Sequence, residues 1–176
     1  MLELLFYLYS VLLIILLLYI FTIATYSLIR GAPYAALGSE RLKTVMELLD
    51  IKKGERIADL GSGDGRIVIA AAGKGATAVG YEINYLLVLL SRKNIKKSGL
   101  KSASIRQKDF WSENYSSYNS ITIYTLPHIL PALGRKLKKE LKPGTKVISN
   151  YYKFPNWKIH KSKGDVHLYI VEPGAS

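Results

Sequence analysis

The chain has 176 residues, with 25 Lys and Arg against 13 Asp and Glu, and no cysteine. This length holds one domain of ordinary size. The absence of cysteine excludes disulfides and cysteine-ligated zinc, and the spacing of His128, His160 and His167 predicts no metal site. Residues 30–176 carry all the basic side chains and 12 of the acidic ones, a net charge of +13. Such a charge favours acidic partners, nucleic acid or anionic lipid, although solubility alone would also account for it.

An uncharged and mostly apolar stretch covers residues 4–29. As a helix it extends about 39 Å, enough to cross the hydrocarbon core of a bilayer with some tilt. Tyr7 and Tyr9 near one end and Tyr26 near the other are typical of interfacial aromatic belts. The main alternative, a signal peptide, has a basic start and a shorter apolar core. We therefore predict that residues 1–30 are a membrane anchor that contacts the bilayer through residues 4–29.

The basic residues around this stretch predict its orientation. Arg30, Arg41 and Lys43 follow the span, and no Lys or Arg precedes it. By the positive-inside rule, the protein is then single-pass, with residues 31–176 on the cytoplasmic side of the membrane.

Residues 31–38 contain two glycines and a proline, which predicts a loop. It is either a spacer or a lid in which Pro33 and Tyr34 fold over a ligand pocket. Ser39 is predicted to cap the helix that follows. That helix has apolar residues at helical spacing, namely Leu42, Val45, Met46 and Leu49.

A glycine turn at residues 61–65 joins a predicted buried strand, Arg56–Leu60, to a predicted apolar helix at residues 67–72. The glycines alternate as G-x-G-x-G, and Arg66 stands where the dinucleotide motif has its third glycine. Asp59 suits a ligand with a cationic end better than a pyrophosphate. A strand, a glycine loop and a helix in this order predict a nucleotide-binding unit.

Residues 59–65, Asp-Leu-Gly-Ser-Gly-Asp-Gly, resemble motif I of the class I, seven-β-strand methyltransferases that use S-adenosylmethionine. In that family this loop passes under the amino-acid end of the cofactor. A glycine-rich turn without a ligand is the alternative.

Glu82 ends the second predicted strand, Thr77–Glu82. A carboxylate at that strand tip can accept hydrogen bonds from both ribose hydroxyls, and the resemblance implies this role. A solvated strand-end acid is the alternative. A helix with cations gathered at its C-terminal end is predicted over residues 84–98.

A third strand is predicted over residues 103–110. The resemblance implies that Asp109 bonds the adenine amino group and that Phe110 and Trp111 cover the adenine ring. The alternative is a strand-end turn with a core aromatic residue.

The fourth predicted strand covers residues 120–127, and its carboxyl end faces the methyl group in the family. Methyltransferases of nucleic-acid and glutamine amines often carry Asn/Asp-Pro-Pro-Tyr there, whereas this chain has Tyr-Thr-Leu-Pro at residues 124–127. This departure argues against methylation of a base amino group. The remaining predicted elements are a helix with a basic face at 128–141, a fifth strand at 146–152, and a hairpin of residues 157–160 and 167–171.

This element order predicts an α/β fold: a doubly wound, Rossmann-like methyltransferase sheet with a C-terminal antiparallel hairpin, preceded by one transmembrane helix. Residues 31–176 would form the S-adenosylmethionine-binding methyltransferase domain. The anchor and several short motifs resemble the membrane-anchored protein lysine methyltransferases, whose mitochondrial members act on the c-subunit of ATP synthase and on the adenine nucleotide translocase. These motifs are residues 31–34, 59–65, 81–84, 126–127 and 154–157.

The resemblance implies S-adenosylmethionine as cofactor and a membrane protein as substrate. Nucleic acid is disfavoured as a partner, and no metal is predicted. The residues predicted to bind the cofactor are Pro33, Tyr34, Asp59, Gly61, Ser62, Gly63, Asp64, Gly65, Glu82, Asn84, Asp109, Phe110 and Trp111. Tyr34, Tyr151 and Trp157 are predicted to line the lysine channel. Thr125 and Asn150, together with Tyr34, are the predicted catalytic residues, since side chains at strand ends can orient the amine.

The implied reaction is methyl transfer to a lysine amine. With an ordinary pKa near 10.4, about 0.04% of lysine is neutral at pH 7, so the amine must first lose its proton. No side chain stands out as the base, which predicts catalysis mainly by positioning. Two alternatives stay open: a methyltransferase for RNA, lipid headgroups or a small molecule, and a non-catalytic adenosyl-binding membrane adaptor.

Overall fold

A computed structural model describes residues 2–30 and 34–173, with the backbone alone at residues 23, 24 and 26–30. The predicted roles of Pro33 and of the Tyr26 side chain therefore lie outside the described residues. The chain divides into two compact units, residues 1–33 and 34–176. Each unit is described separately below.

The first unit is a single helix, α1 (Leu2–Arg30). Its stretch Leu2–Thr22 has a mean hydropathy of 2.7, and none of it is buried. The hydroxyls of Ser10, Thr22 and Thr25 in α1 donate hydrogen bonds to backbone carbonyls one turn earlier. The helix thus meets the length and hydropathy requirements for a membrane span, which a signal sequence near an N-terminus would also meet.

A seven-stranded sheet with the order β3-β2-β1-β4-β5-β7-β6 forms the centre of the second unit. Neighbouring strands from β3 to β5 are parallel, whereas β7 is antiparallel to both β5 and β6. The strands are β1 (Arg56–Leu60), β2 (Thr77–Glu82), β3 (Ala103–Gln107), β4 (Ser120–Tyr124), β5 (Lys146–Asn150), β6 (Lys161–Lys163) and β7 (Val166–Ile170). The strand order reverses between β1 and β4, and ligands of such sheets bind outside the carboxyl ends of the strands at that point.

Helices cover both faces of the sheet. One face packs on α2 (Ser39–Leu49), α3 (Arg66–Gly73) and α4 (Tyr85–Ser98). The other face packs on α5 (Leu130–Glu140) and on an aromatic cluster that includes Tyr115, Tyr118 and Tyr169. The predicted doubly wound sheet with an antiparallel edge is therefore confirmed, and β1 and β2 have their predicted boundaries.

Three predicted strands run too far at their carboxyl ends. The third strand stops at Gln107, because the Asp109 side chain caps a short 3-10 helix, Phe110–Ser112. The fourth stops at Tyr124, ahead of Pro127, and the fifth stops at Asn150, because Tyr151 has a left-handed φ of 69°. Such a backbone conformation leaves the pleated strand.

Two other predictions were wrong in position. Ser39 is not a cap: Gly38 holds the N-cap position of α2, without a side-chain hydrogen bond. The first hairpin strand is Lys161–Lys163 and not residues 157–160. Trp157 stacks on Phe154 with ring centroids 5.0 Å apart and meets Tyr169 edge-on, so the start of that segment packs on aromatic rings, while the amide of its last residue, His160, donates to the carbonyl of Leu168 in β7.

We expect Gly80→Ala to destabilise the domain by about 1–3 kcal/mol, because a methyl group there overpacks the interior. A Cβ at Gly80 would lie 2.5 Å from the Ser62 hydroxyl and 2.6 Å from Ile105. At Gly73, the last residue of α3, a Cβ would meet only one atom of Leu100, at 4.0 Å, so Gly73→Ala is the matched control. Chemical denaturation of the detergent-solubilised chain measures both, and equal stability of the two variants would contradict this packing.

Candidate functional site

The glycine loop between β1 and α3 lies at the carboxyl edge of the sheet. Gly61, Gly63 and Gly65 have φ values of 74°, 54° and 80°, a left-handed conformation that side chains rarely adopt. The amides of Gly61 and Ser62 both donate to the carbonyl of Tyr81, at 2.9 and 3.0 Å. The loop is therefore fixed to the end of β2 as well as to β1.

Asp59 is buried at the end of β1, where it is 4% exposed. Its Oδ1 accepts a 2.6 Å hydrogen bond from the hydroxyl of Thr122, its register partner on β4. Burial raises the pKa of Asp59 to about 7, and the nearby charges of Glu82 and Asp64 add to this, while the bond from Thr122 opposes it. A desolvated carboxyl group of this kind is stabilised as an anion when a cation comes close.

Glu82 lies at the tip of β2, as predicted, and holds backbone amides there. Its Oε2 accepts from the Gly63 amide at 2.9 Å, and its Oε1 accepts from the amides of Ile83 and Asn84, both at 2.8 Å. Burial raises the pKa of Glu82, and the three amide donors oppose that shift. This carboxylate therefore fixes the glycine loop, a structural task that the sequence did not reveal, and its role toward ribose stays a prediction.

Tyr34 lies against the glycine loop. A Cβ at Gly63 would come within 2.9 Å of two atoms of the Tyr34 ring, so this ring packs on a surface that only glycine leaves free. The Tyr34 side chain also hydrogen-bonds Asp64. At Gly61, by contrast, a Cβ would meet nothing within 4 Å. The loop is thus covered at Gly63 and open at Gly61.

Asp64 and Arg66 form a partly buried ion pair with an Nη2 to Oδ2 distance of 2.6 Å. Arg66 also donates to the carbonyl of Leu37, and Asn94 of α4 donates to the carbonyl of Asp64 at 3.0 Å. The pair therefore connects the segment before α2, the glycine loop and α4. The sequence could have indicated this pair, because Arg66 carries the opposite charge two residues after Asp64. In the motif, Arg66 is interpreted only as the replacement of a third glycine.

The remaining residues predicted to bind the cofactor have local structural roles. Asn84 caps α4 by accepting from the amides of Leu86 and Leu87. Asp109 accepts from the Trp111 amide at 3.0 Å. Phe110 is a buried residue of the core, with its ring 5.4 Å from that of Trp111. The adenine contacts predicted for Asp109, Phe110 and Trp111 stay predictions, as does the cofactor contact predicted for Asn84.

Two unsatisfied polar atoms lie at the carboxyl ends of β4 and β5. Thr125 is 2% exposed and Asn150 is 1% exposed, and within residues 34–173 neither the Thr125 hydroxyl nor Asn150 Oδ1 has a hydrogen-bond partner. Asn150 Nδ2 donates weakly to the carbonyl of Ile123, at 3.4 Å. Buried polar groups nearly always have partners, so these atoms offer hydrogen-bonding capacity at the ligand edge of the sheet, for water or for a polar group of a ligand.

Two tyrosines neighbour Asn150 at this edge, one across the sheet and one next along the chain. Tyr124 is the register partner of Asn150, and its ring is 5.4 Å from that of Tyr151. The guanidinium of Arg41 lies 3.5 Å from the centre of the Tyr151 ring. The ring face of Tyr151 therefore already binds a cation within the chain.

A cavity of about 590 Å³ extends from this ring between the start of α2 and the β6–β7 turn. Arg41 and Tyr151 line it together with Asp165, which pairs with Arg41 at 3.4 Å. No local pattern in the sequence predicts the contact between Arg41 and Tyr151, because 110 residues separate them. Trp157, in contrast, packs against Gly134 of α5 and Phe154, on the other face of the sheet.

The residues at this edge of the sheet suit S-adenosylmethionine as a ligand. The open surface at Gly61 and the buried Asp59 suit a ligand with a positively charged end. Among the described residues, neither Asp59 nor Glu82 forms an ion pair, so a cationic ligand would be the positive charge that this edge lacks.

A doubly wound sheet whose first strand ends in an acid and an alternating-glycine loop defines a class I S-adenosylmethionine-dependent methyltransferase. This chain belongs to the ANTKMT methyltransferase domain family, whose model matches residues 59–161. The predicted fold and the predicted cofactor class are thereby confirmed.

Two curated relatives and one solved structure show how far the similarity extends. The chain is 39% identical to the human lysine N-methyltransferase of the ATP synthase c-subunit over 71% of its length, and it spans 54% of that enzyme. It is 34% identical to a protein-lysine N-methyltransferase of Saccharolobus islandicus, with 82% of this chain and 97% of the relative covered. An RNA methyltransferase from Salinibacter ruber, solved with S-adenosyl-L-homocysteine, has a TM-score of 0.75 and 32% identity, covering 79% of this chain and 95% of that one.

We expect the affinity for S-adenosylmethionine to fall as the pH drops below about 7, the raised pKa of Asp59. The ionised fraction of Asp59, which attracts the cationic ligand, falls about tenfold for each pH unit below the pKa. Calorimetric titration between about pH 5.5 and 8 measures this. In Asp59→Asn the affinity should be low and nearly independent of pH, and parallel pH profiles in the two proteins would contradict the assignment.

Tyr34→Ala should weaken cofactor binding about tenfold, because the ring that covers the loop at Gly63 is lost. Tyr34→Phe keeps the ring and removes only the hydroxyl that bonds Asp64, so it is the matched control and should bind nearly as well as the original chain. Calorimetry and turnover measurements compare the three. Unchanged binding and turnover in Tyr34→Ala would contradict the prediction that Tyr34 is a lid over the cofactor pocket.

Proposed function

We propose that this protein is an S-adenosylmethionine-dependent protein-lysine N-methyltransferase that acts at a membrane on a membrane protein. The observation that carries the proposal is the pair of unsatisfied polar atoms at Thr125 and Asn150, together with the ring of Tyr151, the residue after Asn150, which binds a cation. A lysine side chain offers both the donors that these atoms need and the charge that the ring attracts. The two lysine methyltransferases similar to this chain support the choice of acceptor.

Each residue has a distinct task in this proposal. Bound S-adenosylmethionine supplies a methyl group made electrophilic by its sulfonium. Asp59 holds the cationic end of the ligand, and Tyr34 closes the loop over it. Asn150 Oδ1 and the Thr125 hydroxyl accept from the acceptor amine and fix its direction. The Tyr151 ring receives the lysine while it is still charged, in competition with Arg41.

The proposed site of action is the membrane surface. The helix α1 is long and apolar enough to span a bilayer, and its basic flank on the C-terminal side favours a cytoplasmic position for residues 34–176. The similar human enzyme is named for the c-subunit of ATP synthase. An anchored enzyme meets its substrate in two dimensions, which raises the effective concentration of a membrane-embedded acceptor.

RNA methylation is the second candidate function. The similar solved structure from Salinibacter ruber is described as an RNA methyltransferase, and residues 30–176 carry a charge of +13. Against it, residues 124–127 lack the side-chain amide that commonly holds a planar base amine. Salt-sensitive RNA binding by the full chain would favour this candidate.

The test is transfer of labelled methyl groups from S-adenosylmethionine to membranes of the source organism. We expect label on a discrete protein band, on lysine after hydrolysis, with the original chain and none with Asp59→Asn. Asp50→Asn is the matched control, because Asp50 is an exposed acid that pairs with Lys52, and it should transfer normally. Label in RNA or lipid and none in protein would overturn the proposed acceptor.

A further inference from the structure

The first half of α4 exposes a row of large apolar side chains. Tyr85, Leu86, Leu89 and Leu90 are 50%, 68%, 46% and 40% exposed. Their spacing places them on one face over one and a half turns. Val88 and Ser91 are buried and face the sheet. We call these four exposed residues the α4 patch. An exposed apolar cluster that the core does not use marks an interaction surface.

Positive charge continues the same exposed side of the helix. Arg92, Lys93, Lys96 and Lys97 follow within two turns and are all exposed. No ion pair involves these four side chains within residues 34–173. One side of α4 is thus apolar in its first half and cationic in its second, so an anionic bilayer surface could take up the apolar half and attract the cationic half.

The α4 patch also lies near the ligand edge. The helix starts at its Asn84 cap, two residues after Glu82 at the carboxyl end of β2. Glu82 in turn holds Gly63 of the glycine loop. A partner bound to the α4 patch would therefore lie beside the cofactor loop.

We infer that the α4 patch inserts into the interfacial layer of an anionic lipid bilayer, while Arg92, Lys93, Lys96 and Lys97 contact the headgroups. The charge of the helix selects this occupant, because four exposed cations next to apolar side chains match anionic lipid. The inference rests on the proposed membrane location and not on the proposed methyl transfer. It would hold the carboxyl edge of the sheet toward the bilayer surface, where lysines of a membrane protein emerge.

A depth measurement tests this contact directly. The chain has no cysteine, so Leu86→Cys places a single environment-sensitive fluorophore on the α4 patch of the full chain. Lys142→Cys is the matched control, because Lys142 is an exposed lysine beyond the end of α5. Both are reconstituted into vesicles of phosphatidylcholine with phosphatidylglycerol that contain nitroxide-labelled lipid. We expect severalfold stronger quenching at position 86, reduced in phosphatidylcholine alone.

Other outcomes would overturn the inference. Equal quenching at positions 86 and 142 would mean that the α4 patch does not enter the bilayer. Blue-shifted emission that requires an added membrane protein would assign the α4 patch to a protein partner. Emission that changes with the density of the chain would assign it to a second copy.

A double variant separates this inference from the proposed function. Leu86→Glu with Leu89→Glu should leave cofactor binding unchanged by calorimetry, since both side chains are exposed. Methyl transfer to intact membranes should fall about tenfold, with transfer to the same membranes dissolved in detergent unchanged. Equal transfer to intact membranes would overturn the inference. Transfer absent from every protein, with position 86 still quenched, would refute the methyltransferase proposal alone.

Discussion

Two carboxyl groups, Asp59 and Glu82, are buried at the carboxyl edge of the sheet without a positively charged partner among the described residues. Burial of an acid is unfavourable unless donors or cations compensate for the lost water. Here Thr122 and three backbone amides provide the donors, and burial still raises the pKa of both groups. The two acids therefore lack a compensating positive charge where the ligand would bind, and a cationic cofactor would supply that charge. The amide bonds to Glu82 also fix the glycine loop, so the shape of the site depends on the same buried charge.

The opposite half of the ligand edge has a different chemistry. The ends of β4 and β5 carry two unsatisfied oxygens and the rings of Tyr124 and Tyr151, while Arg41 at the Tyr151 ring is paired with Asp165. Neutral acceptors and ring faces can hold a charged lysine without trapping it as a salt bridge, and a carboxylate there would raise the pKa of the amine. In the proposed reaction the cofactor would lie by the buried acids and the amine by uncharged acceptors, an arrangement that would rely on positioning. Arg41 shows that this half of the ligand edge already tolerates a cation.

The sequence predicted the elements that depend on local patterns. Alternating glycines after an apolar strand predicted the βα unit at residues 56–73, and the predicted strand Thr77–Glu82 was correct to the residue. Prediction failed where side chains from distant segments decide the backbone. Tyr151 leaves the strand in a left-handed conformation, and Trp157 packs against Tyr169 of β7 and Gly134 of α5, while the hairpin strand is Lys161–Lys163. No local pattern contains these contacts.

By itself, the sequence determined the class of the fold, the position of the glycine loop, the acids around it and the apolar helix at the amino terminus. Each follows from hydrophobic periodicity, from the φ freedom of glycine or from charge within a few residues. Only the tertiary structure showed that Thr122 bonds Asp59 across two strands, that Tyr34 covers Gly63 and that Arg41 lies on Tyr151. The residues of these pairs are 63, 29 and 110 positions apart along the chain. Contacts over such separations are set by strand order and packing, which the pattern of one segment does not encode.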